Sequence, residues 1–361
     1  MIDKAFWKGK RVLVTGHTGF KGSWLCIWLV KMGARVTGYA LDPYTANDNF
    51  VLADISSKII DVRGDIRDRE KLQTVFNEYQ PEIVFHLAAQ PLVRLSYEIP
   101  VETYEINVMG SINVMECVRA SLNTKIAVMI TTDKCYENRE QLWGYRENEP
   151  LGGYDPYSSS KGAAEIAINS WRRSFFNPAD YVKHGKSLAS VRAGNVIGGG
   201  DWAKDRIIPD CIKALEVDRA IEIRSPLSIR PWEHVLEPLS GYLLLAQKMS
   251  QDPFEYSDSW NFGPNIDSIV SVWDIALKVI HYYGRGSLKD ISNPSELHEA
   301  KLLSLDISKA RFKLGWKPTL DIDKTIEMTI EWYKQYKTEE VYKICDQQID
   351  NFIKTGADLW K

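Results

Sequence analysis

Three glycines between a strand and a helix limit this chain more than any other feature. The run "RVLVTG" is short and β-branched, and "FKGSWLCIWLVKMG" carries apolar residues at helical spacing as far as Gly33. Gly16, Gly19 and Gly22 join the two as GxxGxxG, in "TGHTGFKG". A loop placed there must turn tightly, expose backbone N–H groups and let a pyrophosphate approach the helix N-terminus, with Phe20 beside it; only glycine permits all three. A plain glycine turn is the alternative, and the strand before it and the helix after it weigh against that.

The first half of the chain keeps this rhythm. "ARVTGYAL" and "KIIDVRGD" read as strands two and three, "REKLQTVFNEYQ" as an amphipathic helix, and "PEIVFHLAAQ" as a fourth strand opened by Pro81. A helix through "VMGSINVMECVRAS" leads to a fifth strand in "KIAVMITT". Continuous apolar strands alternating with helices require a parallel sheet covered on both faces, so the fold class is α/β, doubly wound and Rossmann-like. After "SLASVRAGNVIGGGD" the rhythm loosens, and Pro, Trp and Arg gather in "RSPLSIRPWEHVLEPLSGYLLLA" and "WNFGPN". We read a smaller C-terminal substrate-binding lobe there, packed against the carboxyl edge of the sheet. The expected division is a cofactor domain over 1–194 with a returning segment near 231–262, the lobe over 195–230 and 263–335, and a surface helical tail over 336–361.

Composition narrows the partners. With 45 Lys and Arg against 48 Asp and Glu the net charge is -3, so neither nucleic acid nor a membrane surface is expected. The five cysteines form no CxxC pair and no zinc spacing, so no metal is expected. The N-terminal stretch has no signal-peptide pattern and no apolar run is long enough to span a bilayer, which points to the cytoplasm.

An acid at the end of strand two selects NAD over NADP by binding the adenosine ribose. Asp42 lies roughly 20 residues after the last glycine, a residue or two past the strand, and a surface aspartate is the competing reading. Asp65, followed by Ile66 in "RGDIRD", is better placed for the adenine. No basic residue stands in the sequence where a 2′-phosphate would sit, which favours NAD.

Tyr157 and Lys161 in "YSSSK" follow strand five, with Pro156 at a helix start, so both side chains share one helical face. Free tyrosine titrates near 10, so a phenolate base needs a cation beside it, and each tenfold gain in acidity takes about 1.4 kcal/mol. Thr132, at the end of strand five, can hydrogen-bond the same substrate oxygen. A second YxxxK, Tyr333 to Lys337, reads as the solvated face of a charged helix.

GxxGxxG, "HLAAQ", "TTDK", "YSSSK" and "RAGNVIG", in this order, resemble the extended short-chain dehydrogenase/reductase family. The longer stretches "DKCYENREQLWGYRENEPLGGYDPYSSSKG" and "IRPWEHVLEPLSGYLLLAQK" resemble its nucleotide-sugar 4,6-dehydratases, and among them the branch acting on CDP-glucose. The resemblance implies a tightly held NAD that is reduced and reoxidised within one turnover. Tyr157 would take the proton of the sugar 4-hydroxyl, the 4-ketone would acidify C5, and water would leave across C5 and C6. The product would be CDP-4-dehydro-6-deoxyglucose, an early intermediate for the deoxyhexoses of surface polysaccharide.

Elimination needs a base at C5 and an acid at the departing 6-hydroxyl. Asp133 and Lys134 occupy the place where dTDP-glucose dehydratases carry Asp-Glu, with Asp133 as acid and Lys134 as base, or the reverse. A nucleotide-sugar 4-epimerase or a noncatalytic NAD sensor on the same scaffold would need neither. The resemblance also implies that Ala88, Ala89 and Gln90 line the nicotinamide ribose and that Asn107 supports the active-site backbone. Asn195, Arg206 and Arg230 are expected at the substrate diphosphate, with His234 and Glu299 as further candidates; His86 reads as core. A homodimer or homotetramer through "TYEINVMGSINVMECV" and "SSSKGAAEIAINSW" is expected.

Overall fold

The computed structural model describes residues 2–292 and 302–359. Its strands, in chain order, are β1 (Arg11–Thr15), β2 (Arg35–Ala40), β3 (Ile60–Arg63), β4 (Ile83–His86), β5 (Ile126–Ile130), β6 (Ser187–Ala193), β7 (Asn195–Ile197), β8 (Ile221–Ile223), β9 (Ile229–His234), β10 (Ser259–Phe262), β11 (Ile269–Ser271) and β12 (Leu288–Asp290). The longer helices are α1 (Phe20–Lys31), α2 (Arg69–Tyr79), α3 (Gly110–Ala120), α4 (Pro156–Ser174), α5 (Ile207–Glu216), α6 (Leu236–Gln251), α7 (Val272–Tyr283), α8 (Ile322–Gln335) and α9 (Val341–Leu359).

The central sheet runs β10-β6-β5-β4-β1-β2-β3 with every pair parallel. Alternation along each strand divides its side chains between two apolar layers. Val12 and Val14 of β1, with Ile126 and Val128 of β5, face the layer of α1 and α6. Leu13, Ala127 and Met129 point the other way, into the layer of α2 and α3. The chain reverses its winding between β1 and β4, and the carboxyl ends of those strands open a crevice, the usual ligand position in such sheets. A short sheet, β11-β9-β7, and the pair β12-β8 form the smaller lobe beside that crevice.

The tail is not merely a surface helix. In α1 the run from Ser23 to Leu29 is buried on all sides, and a helix apolar all round needs cover all round. Helix α9 provides it: Ile344, Cys345, Ile349 and Phe352 are buried, and Phe352 meets Trp28 edge-on at 5.8 Å. Lys31 is paired at the rim with Asp346 (2.8 Å) and Asp350 (2.9 Å).

Candidate active site

A continuous cavity of about 2320 Å³ follows the carboxyl ends of the central strands, from the glycine loop to the smaller lobe. At its cofactor end, Gly16 has φ +73°, and a Cβ there would sit 2.6 Å from the Ala88 nitrogen. A Cβ on Gly22 would sit 2.1 Å from the Gly16 carbonyl oxygen. These two positions admit only glycine, while Gly19 caps α1 in an ordinary extended conformation. Gly16, Gly19, Phe20 and Gly22 all line the cavity, so the loop cradles space at a helix N-terminus and fits the pyrophosphate of a dinucleotide.

At the adenosine side, Asp42, Asp65 and Ile66 line the same cavity. The Asp42 side chain is 87% exposed and stands 3.6 Å from the Arg63 guanidinium. Arg63 also donates to the Leu41 carbonyl at 3.2 Å, so folding brings a basic side chain where the linear sequence showed none. The Asp65 carboxylate is held by Arg67 at 2.7 Å, which lowers its pKa.

Ala88, Ala89 and Gln90 line the middle of the cavity. Asn107 is buried behind them: its Oδ1 accepts from the Gln90 N–H (2.9 Å), and its Nδ2 donates to the Gln90 carbonyl (3.1 Å) and to Ser160 Oγ (2.9 Å). One amide therefore ties the loop after β4 to α4. His86 is core, bonded to Thr15 (2.7 Å) and Ser111 (3.1 Å), with burial lowering its pKa to about 3.

The chemical centre lies where β5 meets α4. Asp155 caps α4 by accepting from the Ser158 N–H at 2.9 Å, which sets Tyr157 in the first turn. Tyr157 is 8% exposed and reaches the cavity; Lys161, one turn on, is buried behind it and donates to the Ile130 carbonyl at 3.4 Å. The sequence predicts a phenol lowered by Lys161. In the protein, burial instead raises the Tyr157 pKa to about 12; a hydrogen bond with Thr132 lowers it, the Asp133 charge raises it and Arg206 lowers it. Burial, followed by repulsion from Lys21, brings Lys161 down to about 8.

Asp133 and Lys134 start a single 3-10 turn, Asp133–Cys135. They do not form an exposed charged turn: the Asp133 side chain is 1% exposed and lies behind the cavity wall, whereas Lys134 lines the cavity. Asp133 Oδ1 accepts from the Thr132 hydroxyl (2.9 Å) and stands 3.6 Å from Lys134 Nζ, and Oδ2 is buried with no partner.

Asn195 of β7, Arg206 and Arg230 of β9 line the cavity towards the smaller lobe. Arg206 is fixed by Asp201 at 2.8 Å, Arg230 donates to the Ile229 carbonyl at 2.9 Å, and the Asn195 side-chain oxygen is buried without a partner. His234 is a correction to the sequence reading. It is fully buried in the core edge-on to Trp24 (6.1 Å), outside the cavity wall, because its neighbours in β9 commit it to the apolar layer; burial drops its pKa to about 3. Glu299 lies outside the described residues. Tyr333 of the second YxxxK is likewise not solvated: it is buried against Trp202 and donates to the Asp201 carbonyl at 2.6 Å, and Lys337 pairs with Glu216 at 2.7 Å.

Sequence reasoning missed Lys21 and Glu233. Lys21 lines the cavity and is lowered to about 8 by burial, with Glu233 raising it, Arg206 lowering it and Asp133 raising it. Glu233 is buried and pushed well above the usual carboxylate range by burial and by Glu237. The available signals were a cation directly before the third glycine and an acid inside the apolar strand "IRPWEH".

With this geometry in place, three likenesses are informative. The chain is 53% identical over 348 residues to the CDP-glucose 4,6-dehydratase of Salmonella typhimurium, covering 96% of this chain and 97% of that one. Its fold superposes on dTDP-glucose 4,6-dehydratase from Bacillus anthracis in complex with NAD (TM-score 0.76, 20% identity, 93% and 100% of the two chains). It superposes equally on UDP-glucose 4-epimerase from Thermotoga maritima (TM-score 0.76, 20% identity, 90% and 99%). The family model for GDP-mannose 4,6 dehydratase matches residues 13–329. Matched over most of its length by that model, the chain belongs to the GDP-mannose 4,6-dehydratase family of extended short-chain dehydrogenases/reductases.

Proposed function

We propose that the chain is a hydro-lyase that converts CDP-glucose into CDP-4-dehydro-6-deoxyglucose and water, with NAD as resident cofactor. The observation that carries this reading is Asp133 and Lys134 directly after Thr132 at the end of β5, packed against the helix of Tyr157 and Lys161, in a chain 53% identical to a CDP-glucose dehydratase. The glycine cradle, Asp65 and Gln90 would hold NAD, which supplies a hydride acceptor that returns what it takes, so no net oxidation remains.

The side chains divide the proton transfers. Tyr157 takes the proton of the sugar 4-hydroxyl, Thr132 shares that oxygen, and Arg206 provides positive charge that a phenol raised to about 12 by burial needs; Lys161, one turn on along α4, would add its own. Lys134, facing the cavity, takes the proton that the 4-ketone has acidified on C5. Asp133, behind the wall but bonded to the Thr132 hydroxyl that lines the cavity, would supply the proton of the departing 6-hydroxyl by way of that hydroxyl, and water leaves. Lys134 would give its proton back to C5 as the hydride returns to C6, and the proton that Tyr157 gained would reach Asp133, 3.6 Å from Lys134, through the solvent, so every group ends as it began. Asn195, Arg206 and Arg230 hold the substrate diphosphate, arginine being suited to phosphate by its planar fork of donors.

Purified protein given CDP-glucose yields a 4-keto-6-deoxy sugar without net reduced cofactor; formation of the 4-epimer alone would overturn the reading. Turnover of CDP-, dTDP-, UDP- and GDP-hexoses side by side fixes the base. A homodimer or homotetramer through residues 103–118 and 158–171 is part of this reading, supported by the exposed Met109 and Ile166. Among the described residues no helix is long and apolar enough to cross a membrane. Five unpaired, buried cysteines suit a reducing cytoplasm.

A further inference from the structure

From the cavity wall, where Thr131 and Tyr136 stand, a chain of buried polar bonds that the proton transfers do not use runs back into the protein. Glu165, one turn past Lys161 on α4, accepts from the hydroxyls of Thr131 and Ser190 and pairs with Arg192 at 2.8 Å. The Glu165 and Arg192 side chains are 1% and 3% exposed. Arg192 donates to the Tyr136 hydroxyl (2.6 Å) and to the Glu147 carbonyl (3.0 Å), with its guanidinium 4.8 Å over the Tyr136 ring. The Tyr136 hydroxyl donates in turn to Asn261 Oδ1 at 2.8 Å. Asn261 Nδ2 donates to the carbonyls of Tyr145 (2.8 Å) and Asp306 (3.2 Å), and the Tyr136 and Tyr145 rings stack at 5.2 Å.

This chain grips the turn of Asp133 and Lys134 at both ends, through Thr131 before it and Tyr136 after it. The turn has little stiffness of its own. Its internal bonds, from the Lys134, Cys135 and Tyr136 N–H groups back to Thr132 Oγ1, the Thr132 carbonyl and the Asp133 carbonyl, are each 3.4 Å long, at the outer limit of a hydrogen bond. A buried ion pair such as Glu165–Arg192 adds little net stability over apolar packing, so its use here is geometric. Acid and base must meet neighbouring sugar atoms, and a misplacement of about 1 Å costs on the order of 100-fold in rate.

We propose that Tyr136, held between Arg192 and Asn261, is the positioning residue that aims Asp133 and Lys134 for water loss and has no part in the oxidation at C4. The inference rests on the roles assigned to Asp133 and Lys134 above. The ion pair itself is a poor place to test it, because breaking it would leave a buried charge alone. Tyr136→Phe keeps the ring, its stacking and the ion pair, and removes only the hydroxyl.

In the full-length protein with NAD and CDP-glucose, Tyr136→Phe is expected to slow water loss about tenfold, roughly what one misaligned proton transfer costs. Reduced nicotinamide then builds up during turnover, while KM for CDP-glucose stays at its wild-type value and the melting temperature falls only by the few degrees that the unpaired Arg192 and Asn261 groups cost. Asn261→Ala, acting from the far end of the same chain of bonds, gives the same build-up. Wild-type product formation in Tyr136→Phe, an equal slowing of both steps, or a change confined to KM or melting temperature overturns the positioning role. Lys134→Met run in parallel separates the two ideas. Normal turnover there removes the assigned base, whereas arrest there beside normal Tyr136→Phe removes only the role of Tyr136.

Discussion

Two pairs of ionisable residues each send one member to the same cavity, and they are built in opposite ways. Tyr157 and Lys161 are four apart on α4, so the helix alone puts them on one face, the first at the cavity and the second behind it. Asp133 and Lys134 are adjacent in the 3-10 turn after β5, their side-chain tips 3.6 Å apart, and only Lys134 reaches the cavity wall. The helical pair takes its geometry from its own backbone. The strand-end pair takes its geometry from Thr132 and from bonds made by distant parts of the chain, so remote changes should disturb water loss before they disturb oxidation.

The largest expected effect is on the helical pair. Tyr157→Phe removes the base for the first step and should lower kcat about 1000-fold while NAD still binds, as measured by turnover and by cofactor titration. Near-normal turnover would break the comparison at its root. Next comes Lys134→Met, expected to leave oxidation intact and slow water loss about 100-fold, read as reduced nicotinamide accumulating after mixing with CDP-glucose. Should both steps fall together, the two pairs are not separable.

A smaller effect concerns pH. Oxidation needs the phenolate, so its rate should climb by up to about tenfold for each step of one in pH below the phenol's pKa. Lys161, brought down to about 8, loses its supporting charge as pH rises through that value, and the climb should stop there. Lys161→Arg, whose charge does not titrate in this range, should keep climbing; an unchanged break would assign it to another group.

The smallest effect lies outside both pairs and serves as a control on the scaffold they share. His234 has its folded pKa depressed to about 3 against an unfolded value of about 6.5. Its stabilising contribution is therefore complete above the unfolded pKa and is lost as pH falls towards the folded one, at up to about 1.4 kcal/mol for each step of one in pH. His234→Phe should show a shallower fall of melting temperature between about pH 6.5 and about pH 4 than wild type. Equal slopes would mean that His234 does not titrate on unfolding.

What could be read from the sequence was whatever its neighbours in the chain determine. Gly16 and Gly22 are forced by a turn a few residues long, and the parallel sheet follows from apolar runs separated by helices. Tyr157 and Lys161 follow from helical spacing. The rest depends on contacts between distant segments. Arg63 meets Asp42 only because β3 lies beside β2, and Lys21 feels Glu233 only because β9, in the smaller sheet, comes close to the glycine loop. Tyr333 has the same spacing to Lys337 as Tyr157 to Lys161, yet it packs on Trp202 as core. Its motif carries no information about which wall of the protein it will meet.

The cover that α9 gives to α1 has a consequence for how the chain is made. Lys31 and Asp346 stand 315 residues apart in sequence, and closing a loop of that length costs about 5 kcal/mol in chain entropy before any contact repays it. While a ribosome is still extending the chain, the helix that carries the dinucleotide loop shows a tryptophan-lined ridge to the solvent. Early synthesis of that half does not let it mature early; its final shape waits on α9, which emerges about 315 residues later, and until then the ridge is a surface for chaperones or for unwanted self-association.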